Sequence, residues 1–506
     1  MGLMTSLPND ILLEILESLD WRDLIACRRT CHRLDTLAGT AVPLQYTIEL
    51  AACGMLDGER GLHTLPIRER LDRLKLHQDA WLNLTWTKNN DLAHLLGRTY
   101  SASVTGLALA FPSRLDSTLL LQTVPSFLRG IDEDHKILNG PTGIPVQLDL
   151  SQDLWISMDI PPDDTSDITC YLKSISTGDA HSSAHNEGCM RFSRRWAGVD
   201  CCGNYILLSR HGVDFTSTVL VHNWKTGIVE SEKREYWSIG TEEYLSRNGW
   251  FLDESYILLD MDRLTSDATG PRTFQSSSAG CLVVVPISPS DTRSYRFFLP
   301  DFFQDIYWAH RIIPRCTGGF VQGCFYDDPA DRLLSLRPSL RTSSSGPQFV
   351  IDIPVRTFTA YIQAHPGDAG APVVVPWEEW GPRGTRITLE TATGPAFSPR
   401  TSVHGMRRLS VRADSRSSGT VTVLDYHPRR VARALARGDA KVTHGGTVGN
   451  VVTLLPCIET TVPLPEGPAH SLAGHMLGVW LCENGVLLVE SLLRDKTITN
   501  AWAYSI

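Results

Sequence analysis

The chain has 506 residues, of which 42% are hydrophobic and 20% are charged, and its formal net charge is −9. This composition supplies the apolar residues that a folded core needs and excludes a wholly disordered chain. The acidic balance disfavours general nucleic-acid binding, and the lack of 18 consecutive apolar residues disfavours a membrane-spanning helix. Because the N-terminus lacks a basic, apolar leader, we expect a cytoplasmic or nuclear protein that binds neither membranes nor nucleic acids.

The first forty residues predict three short helices. Pro8 suits the first turn of a helix, where its missing N–H costs nothing, and Asp20 is suited to cap a second helix. A third helix is expected over Cys31–Leu37. Residues at helical spacing give the first helix a broad apolar face, made of Ile11, Leu12, Ile15, Leu16 and Leu19. Helices this short cannot bury so much apolar surface among themselves, so the rest of the chain or a partner must cover it.

The order of residues in this segment resembles the F-box motif. The matching residues are Leu7, Pro8, Asp10, Ile11, Leu12, Ile15, Leu16, Leu19, Asp23, Leu24, Cys31, Arg33 and Leu34. Three positions depart from the usual pattern, since Asp10 stands for Glu, Thr30 for Val, and Leu34-Asp35 for an aromatic residue. The other interpretation is that these are core helices of a larger α-helical domain.

The resemblance implies that this segment binds the Skp-type adaptor of a cullin–RING ubiquitin ligase. An amphipathic helical module with surplus apolar surface is suited to lie in a partner's groove. The implied adaptor-binding residues are Leu7, Pro8, Ile11, Leu12, Ile15, Leu16, Leu19, Leu24 and Cys27.

Residues 41–94 predict a helical linker. A short helix over Leu44–Ala52 is expected to end at Gly54, and a second helix follows Pro66. One face of the second helix carries Ile67, Leu71, Leu74, Gln78 and Trp81. The stretch Ile67–Trp81 resembles the segment after the F-box in a fungal (basidiomycete) family of F-box proteins with a C-terminal propeller-like domain. This resemblance implies a stalk that sets the distance between the adaptor and a recognition domain.

From about residue 95 the pattern changes to short strands separated by turns. Many such strands indicate a sandwich, a barrel or a propeller. The segments Tyr205–Leu208 and Val219–Asn223, followed by the turn Lys225-Thr226-Gly227, resemble half of a WD-repeat blade and favour a degenerate β-propeller. Thr357–Gln363 is also predicted to form a strand, and a short helix is expected near Pro428–Arg437.

The predicted fold class is therefore α+β and multidomain. It consists of a three-helix F-box over residues 1–40, a short helical linker over residues 41–94, and a large mostly-β, propeller-like domain over residues 95–506. Trp377–Arg383 and Leu424–Arg430 resemble further segments of the fungal family, and we interpret both as structural.

The segment between residues 400 and 441 is strongly basic, with ten Lys or Arg residues against three Asp. Arg430, Arg433 and Arg437 are spaced to share one helix face. One interpretation is a solvated surface paired with acidic neighbours. The other is a substrate-docking patch for acidic or phosphorylated proteins, since Arg suits bidentate recognition of phosphate.

No motif in the sequence points to catalysis. A phosphate-binding Gly-rich loop with Lys, a Gly-x-Ser-x-Gly turn and a His-Glu-x-x-His helix are all absent, and no cysteine spacing fits a zinc site. We therefore expect no cofactor and no metal, and we expect the cysteines to be reduced thiols. The favoured interpretation is a non-catalytic substrate-recognition subunit whose partners are a Skp-type adaptor, a cullin complex and an unidentified protein substrate. The alternatives are an F-box scaffold acting outside ubiquitination and a propeller-fold enzyme with a non-local active site.

Overall fold

The computed structural model describes most of the chain in segments separated by gaps. The described residues are 7–58, 65–86, 88–92, 103–105, 108–112, 118–139, 144–159, 167–192, 198–211, 217–234, 236–239, 242–264, 280–300, 306–312, 323–340, 348–367, 372–390, 400–413, 419–439, 441–464, 475–492 and 498–506.

Eight α-helices lie within these residues. They are α1 (Asn9–Glu17), α2 (Trp21–Arg28), α3 (His32–Thr40), α4 (Val42–Cys53), α5 (Ile67–Asn83), α6 (Arg356–Ala364), α7 (Trp377–Gly384) and α8 (Pro428–Arg437). No described helix is both long and apolar enough to cross a membrane.

Helices α1 to α3 form the predicted N-terminal module. Asp20 caps α2, because its Oδ1 accepts the backbone N–H groups of Arg22 at 2.7 Å and Asp23 at 2.9 Å. The core of the module consists of Leu12, Leu16, Leu24, Leu37, Ala38 and, from α4, Leu44. The prediction of three N-terminal helices is confirmed.

Most described strands belong to seven sheets of four or more strands. The first sheet contains β3 (Ser103–Thr105), β4 (Ala108–Pro112), β5 (Thr118–Thr123) and β6 (His135–Asn139). The second contains β7 (Ile144–Asp149), β8 (Leu154–Asp159), β9 (Ile168–Ser174) and β10 (Cys189–Phe192). The third contains β11 (Gly198–Cys202), β12 (Tyr205–His211), β13 (Ser217–Asn223) and β14 (Val229–Arg234).

The fourth and fifth sheets interleave along the chain. The fourth contains β15 (Tyr236–Ile239), β16 (Glu242–Phe251), β17 (Tyr256–Leu264), β18 (Cys281–Pro286), β19 (Ser294–Phe298) and the parallel strand β24 (Pro372–Val375). The fifth contains β20 (Ile306–Ile312), β22 (Leu333–Leu340), β23 (Gln348–Pro354) and β25 (Arg386–Glu390). The short strands β1 (Met55–Asp57) and β21 (Phe325–Asp327) pair with each other.

The last two sheets complete the set. The sixth contains β26 (Arg400–His404), β27 (Arg407–Ala413), β28 (Gly419–Asp425), β32 (Cys457–Pro463) and β29 (Val442–Thr443). A separate hairpin of β30 (Gly446–Val448) and β31 (Val451–Thr453) contacts β25 of the fifth sheet. The seventh contains β33 (His475–Cys482), β34 (Gly485–Leu492), β35 (Ile498–Ser505) and β2 (Lys88–Asp91).

The sheets are arranged in a ring as a β-propeller. Apolar clusters join the first sheet to the second, the second to the third, the third to the fourth, the fourth to the fifth, and the sixth to the seventh. Strand β26 contacts β22 of the fifth sheet, and β33 contacts both β26 and β3, which closes the ring. Six sheets draw most of their strands from successive stretches of chain, and the seventh combines strands from its two ends.

Strand β2 supplies this closure. It pairs antiparallel with β35, so that Lys88 lies opposite Ser505 and Asp91 opposite Trp502. Residues 88–91 were predicted to belong to the helical linker, so the propeller begins earlier in the chain than residue 95. The polar sequence Lys-Asn-Asn-Asp has no strand alternation, and its pairing partner lies roughly 400 residues later.

The prediction of a strand over Thr357–Gln363 is wrong, because these residues lie in α6. Its aromatic and β-branched residues are typical of strands, but Phe358 and Ile362 are four residues apart and both are buried on one helix face. The Phe358 ring also meets the edge of the Phe297 ring at a centroid distance of 5.0 Å. Tertiary packing therefore decides the conformation of this segment.

The WD-like segment forms the antiparallel pair β12 and β13, with Tyr205 opposite Asn223. The Trp224 side chain that follows is fully buried, and its Nε1 donates to the carbonyl oxygen of Gly203 at 3.0 Å. The indole thus ties the turn after β13 to the turn before β12.

Ten described cysteines are free thiols, whereas Cys202 is disulfide-bonded. The expectation of reduced cysteines is therefore wrong for Cys202. Within the described residues, no group of three or more His, Cys, Asp or Glu side chains is placed to hold a metal ion.

Candidate functional site

The nine predicted adaptor-binding residues divide into two sets. Leu12, Leu16 and Leu24 are almost fully buried and form the core of the helical module. The other six are partly or largely exposed: Leu7, Pro8, Ile11, Ile15, Leu19 and Cys27. Ile11 is the most exposed large apolar residue of α1, with 44% of its surface accessible. The first set supports the helices, and the second is accessible to a partner.

A side chain from α3 fixes the start of α1. The guanidinium of Arg33 donates to the carbonyl oxygen of Leu7 at 2.6 Å and to Asn9 Oδ1 at 2.7 Å. These charge-assisted hydrogen bonds join the first and third helices across 24 to 26 residues of sequence. They hold the accessible residues Leu7 and Pro8 in place at the end of the module.

Helix α4 joins this module to the propeller, and its two faces contact different parts of the molecule. Leu44 belongs to the core of the N-terminal module. Tyr46, Leu50 and Cys53 pack in a different cluster, against Leu71 and Leu74 of α5 and against Cys324 and Phe325 at the start of β21. The Tyr46 hydroxyl lies 2.8 Å from Asp57 Oδ1 and 3.0 Å from the carbonyl oxygen of Cys324.

Two ion pairs connect α4 and the sixth sheet to α8. Arg433 binds Glu49 through two hydrogen bonds, from Nη1 to Oε1 at 2.5 Å and from Nη2 to Oε2 at 2.6 Å. Arg430 pairs with Asp425 through Nε at 2.7 Å and Nη2 at 3.0 Å, and its Nη1 donates to the carbonyl oxygen of Cys53 at 2.5 Å. Both arginines therefore bind α4, which lies in the helical segment formed by α4 and α5, to the propeller.

These pairs set the ionisation of their carboxylates. Burial raises the pKa of Glu49, but the hydrogen bonds and positive charge of Arg433 outweigh that effect and lower it below its usual value. Burial likewise opposes ionisation of Asp425, and the charges of Arg430 and Arg407 lower its pKa overall. Both carboxylates are thus held in their charged forms.

The end of α4 rests directly on the start of α8. Gly54 has a left-handed backbone with φ of +65°, and a Cβ there would come within 2.2 Å of His427 Nε2. That imidazole also lies 3.0 Å from Asp331 Oδ2 and accepts the backbone N–H of Arg430 through Nδ1 at 3.3 Å. Only glycine fits this close approach without moving His427.

A second contact comes from α2. The indole of Trp21 contacts two guanidinium groups, with Arg22 at 5.0 Å and Arg429 of α8 at 4.9 Å from the ring centroid. The N-terminal module therefore touches the propeller through α2 as well as through α4.

Two of the three arginines of the predicted basic patch are bound within the chain. Arg430 and Arg433 are engaged with Asp425, Cys53 and Glu49, so the geometry supports a structural role for these two residues. Arg437 is the member of the patch that lies exposed. Of the ten basic residues in this segment, Arg400 and Arg416 have side chains outside the described residues.

Sequence reasoning missed Glu49, Gly54 and His427 as the residues that join α4 to α8. The prediction that Gly54 ends this helix is confirmed, and the structure gives the glycine a left-handed backbone. The contact with His427 follows from tertiary structure and leaves no signal in the sequence spacing. The signal available in the sequence is that Glu49 is the one charged residue of α4, because a charge that becomes buried needs a partner.

The sequence pattern of the F-box-like family matches residues 4–41, which include α1, α2 and α3. The chain carries an F-box-like domain. No curated protein sequence matches the chain. The resemblance to a fungal family therefore stays a prediction.

Solved structures similar to the chain include the WD40 domain of SCAP from fission yeast, at 9% identity and a TM-score of 0.36, covering 81% of this chain and 82% of that one. Another is the β-propeller domain of the Trilobed protease from Pyrococcus furiosus, at 7% identity and a TM-score of 0.38, covering 80% and 95%. The propeller assignment rests on the ring of sheets described above. An F-box-like domain followed by a propeller fits a substrate-recognition adaptor, an architecture typical of non-enzymatic proteins.

Proposed function

We propose that the chain is a non-catalytic substrate-recognition subunit of an SCF-type cullin–RING ubiquitin ligase, acting in the cytoplasm or nucleus. The F-box-like domain binds a Skp-type adaptor, and the propeller binds a protein substrate. Ubiquitin transfer takes place on other subunits, and this chain contributes by raising the local concentration of a substrate lysine. The observation that carries the proposal is the F-box-like domain over residues 4–41 joined to a propeller.

The accessible residues of α1 support adaptor binding. Ile11 is 44% exposed, Ile15 on the same short helix is partly exposed, and so is Leu19 just after the end of that helix. Apolar side chains left at the surface of a helical module are typical of helix-in-groove recognition.

The junction with the propeller supports a role in presenting a substrate. The Glu49–Arg433 pair and the hydrogen bond from Arg430 to the carbonyl oxygen of Cys53 hold α4 against the propeller. The Trp21–Arg429 contact attaches the F-box-like domain to the same helix of the propeller. A fixed attachment keeps the distance between adaptor and substrate constant, which favours transfer to lysines at a defined position.

Co-purification tests this proposal. The full chain should capture a Skp-type adaptor and a cullin, and Ile11→Asp should reduce capture of both at least tenfold, because it places a charge in the apolar contact. The matched control is Ile137→Asp, which changes an even more exposed isoleucine, 64% accessible, on β6 of the propeller. This control should retain both partners.

Capture of the adaptor without a cullin would support the scaffold that acts outside ubiquitination. If the folded wild-type chain captures neither partner, the proposal is wrong, and a propeller enzyme with a non-local site becomes the better hypothesis. Equal capture by wild type and Ile11→Asp would show that α1 is not the adaptor-binding surface.

A further inference from the structure

A cavity of about 410 Å³ lies where the helical segment meets the sixth sheet. We call it the junction cavity. Its wall is formed by α4, α5, α8 and strands β27, β28 and β32. This volume falls within the range of sites that bind small molecules.

Much of the wall is apolar. Trp81 and Leu82 come from α5, Val423 and Ile458 from the sheet, and Ala434 from α8. Because these residues belong to three separate elements, an apolar ligand would contact the helical segment and the propeller together.

The charged residues of the wall have a basic excess of one. They are Lys75, Arg407, Arg430, Arg433, Arg437, Glu49, Asp79, Asp425 and Asp439. Glu49 and Asp425 are already bound by Arg433 and Arg430. The other two acids are also engaged, since Asp79 Oδ1 accepts the side-chain amide of Asn83 and Asp439 Oδ1 accepts the backbone N–H of Lys441.

Arg407 is the least satisfied of the basic residues. It is only 2% exposed, and its Nε and Nη2 make no hydrogen bond to any described residue. The nearest carboxylate oxygens are Asp425 Oδ2, 3.5 Å from Nε, and Asp327 Oδ2, 3.6 Å from Nη1. Buried donors without partners are costly, and burial together with the charge of Arg430 lowers the pKa of Arg407.

The guanidinium lies close to the apolar wall. Its central carbon is 4.5 Å from the centroid of the Trp81 ring, so a cation and an aromatic surface meet inside the cavity. Lys75 and Arg437 are exposed and add positive charge at the cavity's edge. An anion attached to an apolar body would match both features.

We propose that the junction cavity binds a small organic carboxylate with an apolar body. The carboxylate accepts hydrogen bonds from Arg407, which is suited to bidentate pairing, and Lys75 and Arg437 attract it electrostatically. The apolar body packs against Trp81, Leu82 and Ile458. This binding site is separate from the adaptor-binding surface and does not depend on the proposed function.

Isothermal titration calorimetry on the full chain tests the proposal, with octanoate as the probe and octan-1-ol as its uncharged counterpart. Octanoate should bind with a Kd at least tenfold lower than that of octan-1-ol. Because Arg407→Gln affects a buried residue, the double surface variant Lys75→Gln with Arg437→Gln provides a second measurement. Both Arg407→Gln and the double surface variant should raise the Kd of octanoate about tenfold and leave that of octan-1-ol unchanged.

Two further variants locate the binding. Ala434→Leu fills part of the cavity and should abolish octanoate binding, whereas Arg429→Gln removes a charge from the same helix outside the cavity and should have no effect. The proposal is overturned if octanoate does not bind the wild-type chain, if octan-1-ol binds equally well, or if Ala434→Leu binds octanoate normally. Adaptor capture is measured separately, so failure here leaves the proposed function untouched.

Discussion

Gly54 ends α4 in the left-handed region and lies against His427. We expect Gly54→Ala to lower the free energy of unfolding by about 1–2 kcal/mol from the backbone alone, with a further loss from displacing the imidazole. Urea denaturation measures this effect. The control is Gly39→Ala in α3, where an added Cβ meets no atom within 4 Å and the backbone is helical. Equal unfolding midpoints for the two variants would contradict the close contact.

The Glu49–Arg433 pair predicts a pH effect. Its carboxyl has a lowered pKa in the folded chain, so the stability that it contributes is present above the unfolded value of 4.5 and is lost as the pH falls through the folded value. Arg433→Gln should therefore destabilise the chain by about 1–3 kcal/mol at neutral pH, and this difference should shrink below pH 4.5. Urea unfolding at both pH values measures it.

Arg437→Gln is the control for this experiment, because it removes an exposed arginine from the same helix. Its effect on stability should be small and similar at both pH values. A loss of stability in Arg433→Gln that stays constant on acidification would show that the pair with Glu49 is not responsible.

Single residues also mark the limit of what the sequence could predict about the site. Ile11, Leu12 and Leu16 were all expected on the apolar face of α1, and the structure separates the exposed Ile11 from the two buried leucines. Helical spacing identifies a broad apolar face, but it does not tell which part of that face the other helices cover. The partner of Arg433 is Glu49, 384 residues away, a pairing that local pattern does not contain.

At the level of helices and strands, the sequence predicted an element correctly where residues at both of its ends mark where it starts and stops. Helix α8 starts at the predicted Pro428 and stops before Gly438, because proline suits a first turn and glycine a left-handed end. Helix α6 was mistaken for a strand, since Phe358 and Ile362 favour strands until packing is known. Strand β2 was mistaken for linker because its identity comes from pairing with β35.

That pairing gives a prediction with an internal control. Along an antiparallel edge strand, backbone N–H groups that donate to the neighbouring strand alternate with N–H groups that point away from it. Asn89 and Asn90 are adjacent in β2, so the N–H of one donates to β35 and the N–H of the other does not. Proline at the bonded position should cost about 3 kcal/mol, and proline at the other position much less. Thermal unfolding of Asn89→Pro and Asn90→Pro compares them. If neither variant is destabilised, β2 does not close the ring.

At the scale of the whole molecule, the contact between Trp21 and Arg429 links the F-box-like domain to the propeller. Trp21→Ala should speed amide hydrogen exchange in α1 to α3 severalfold and leave exchange in the propeller strands unchanged. The contact that it removes holds the F-box-like domain in place, whereas the propeller sheets are held by their own pairing and packing. Asp35→Ala is the control, since it breaks the exposed Arg28–Asp35 pair inside the domain and should have little effect. Matching exchange rates in wild type and Trp21→Ala would show that α4 alone positions the domain.

The closure of the ring by β2 also has a consequence for biosynthesis. Strand β2 emerges from the ribosome early, and its partner β35 follows roughly 400 residues later. At about 5–20 residues per second, β2 waits roughly 20–80 s for that partner, although the helices preceding it are complete. An unpaired edge held open for so long is exposed to aggregation, so the nascent chain should depend on chaperones until its last strand is made.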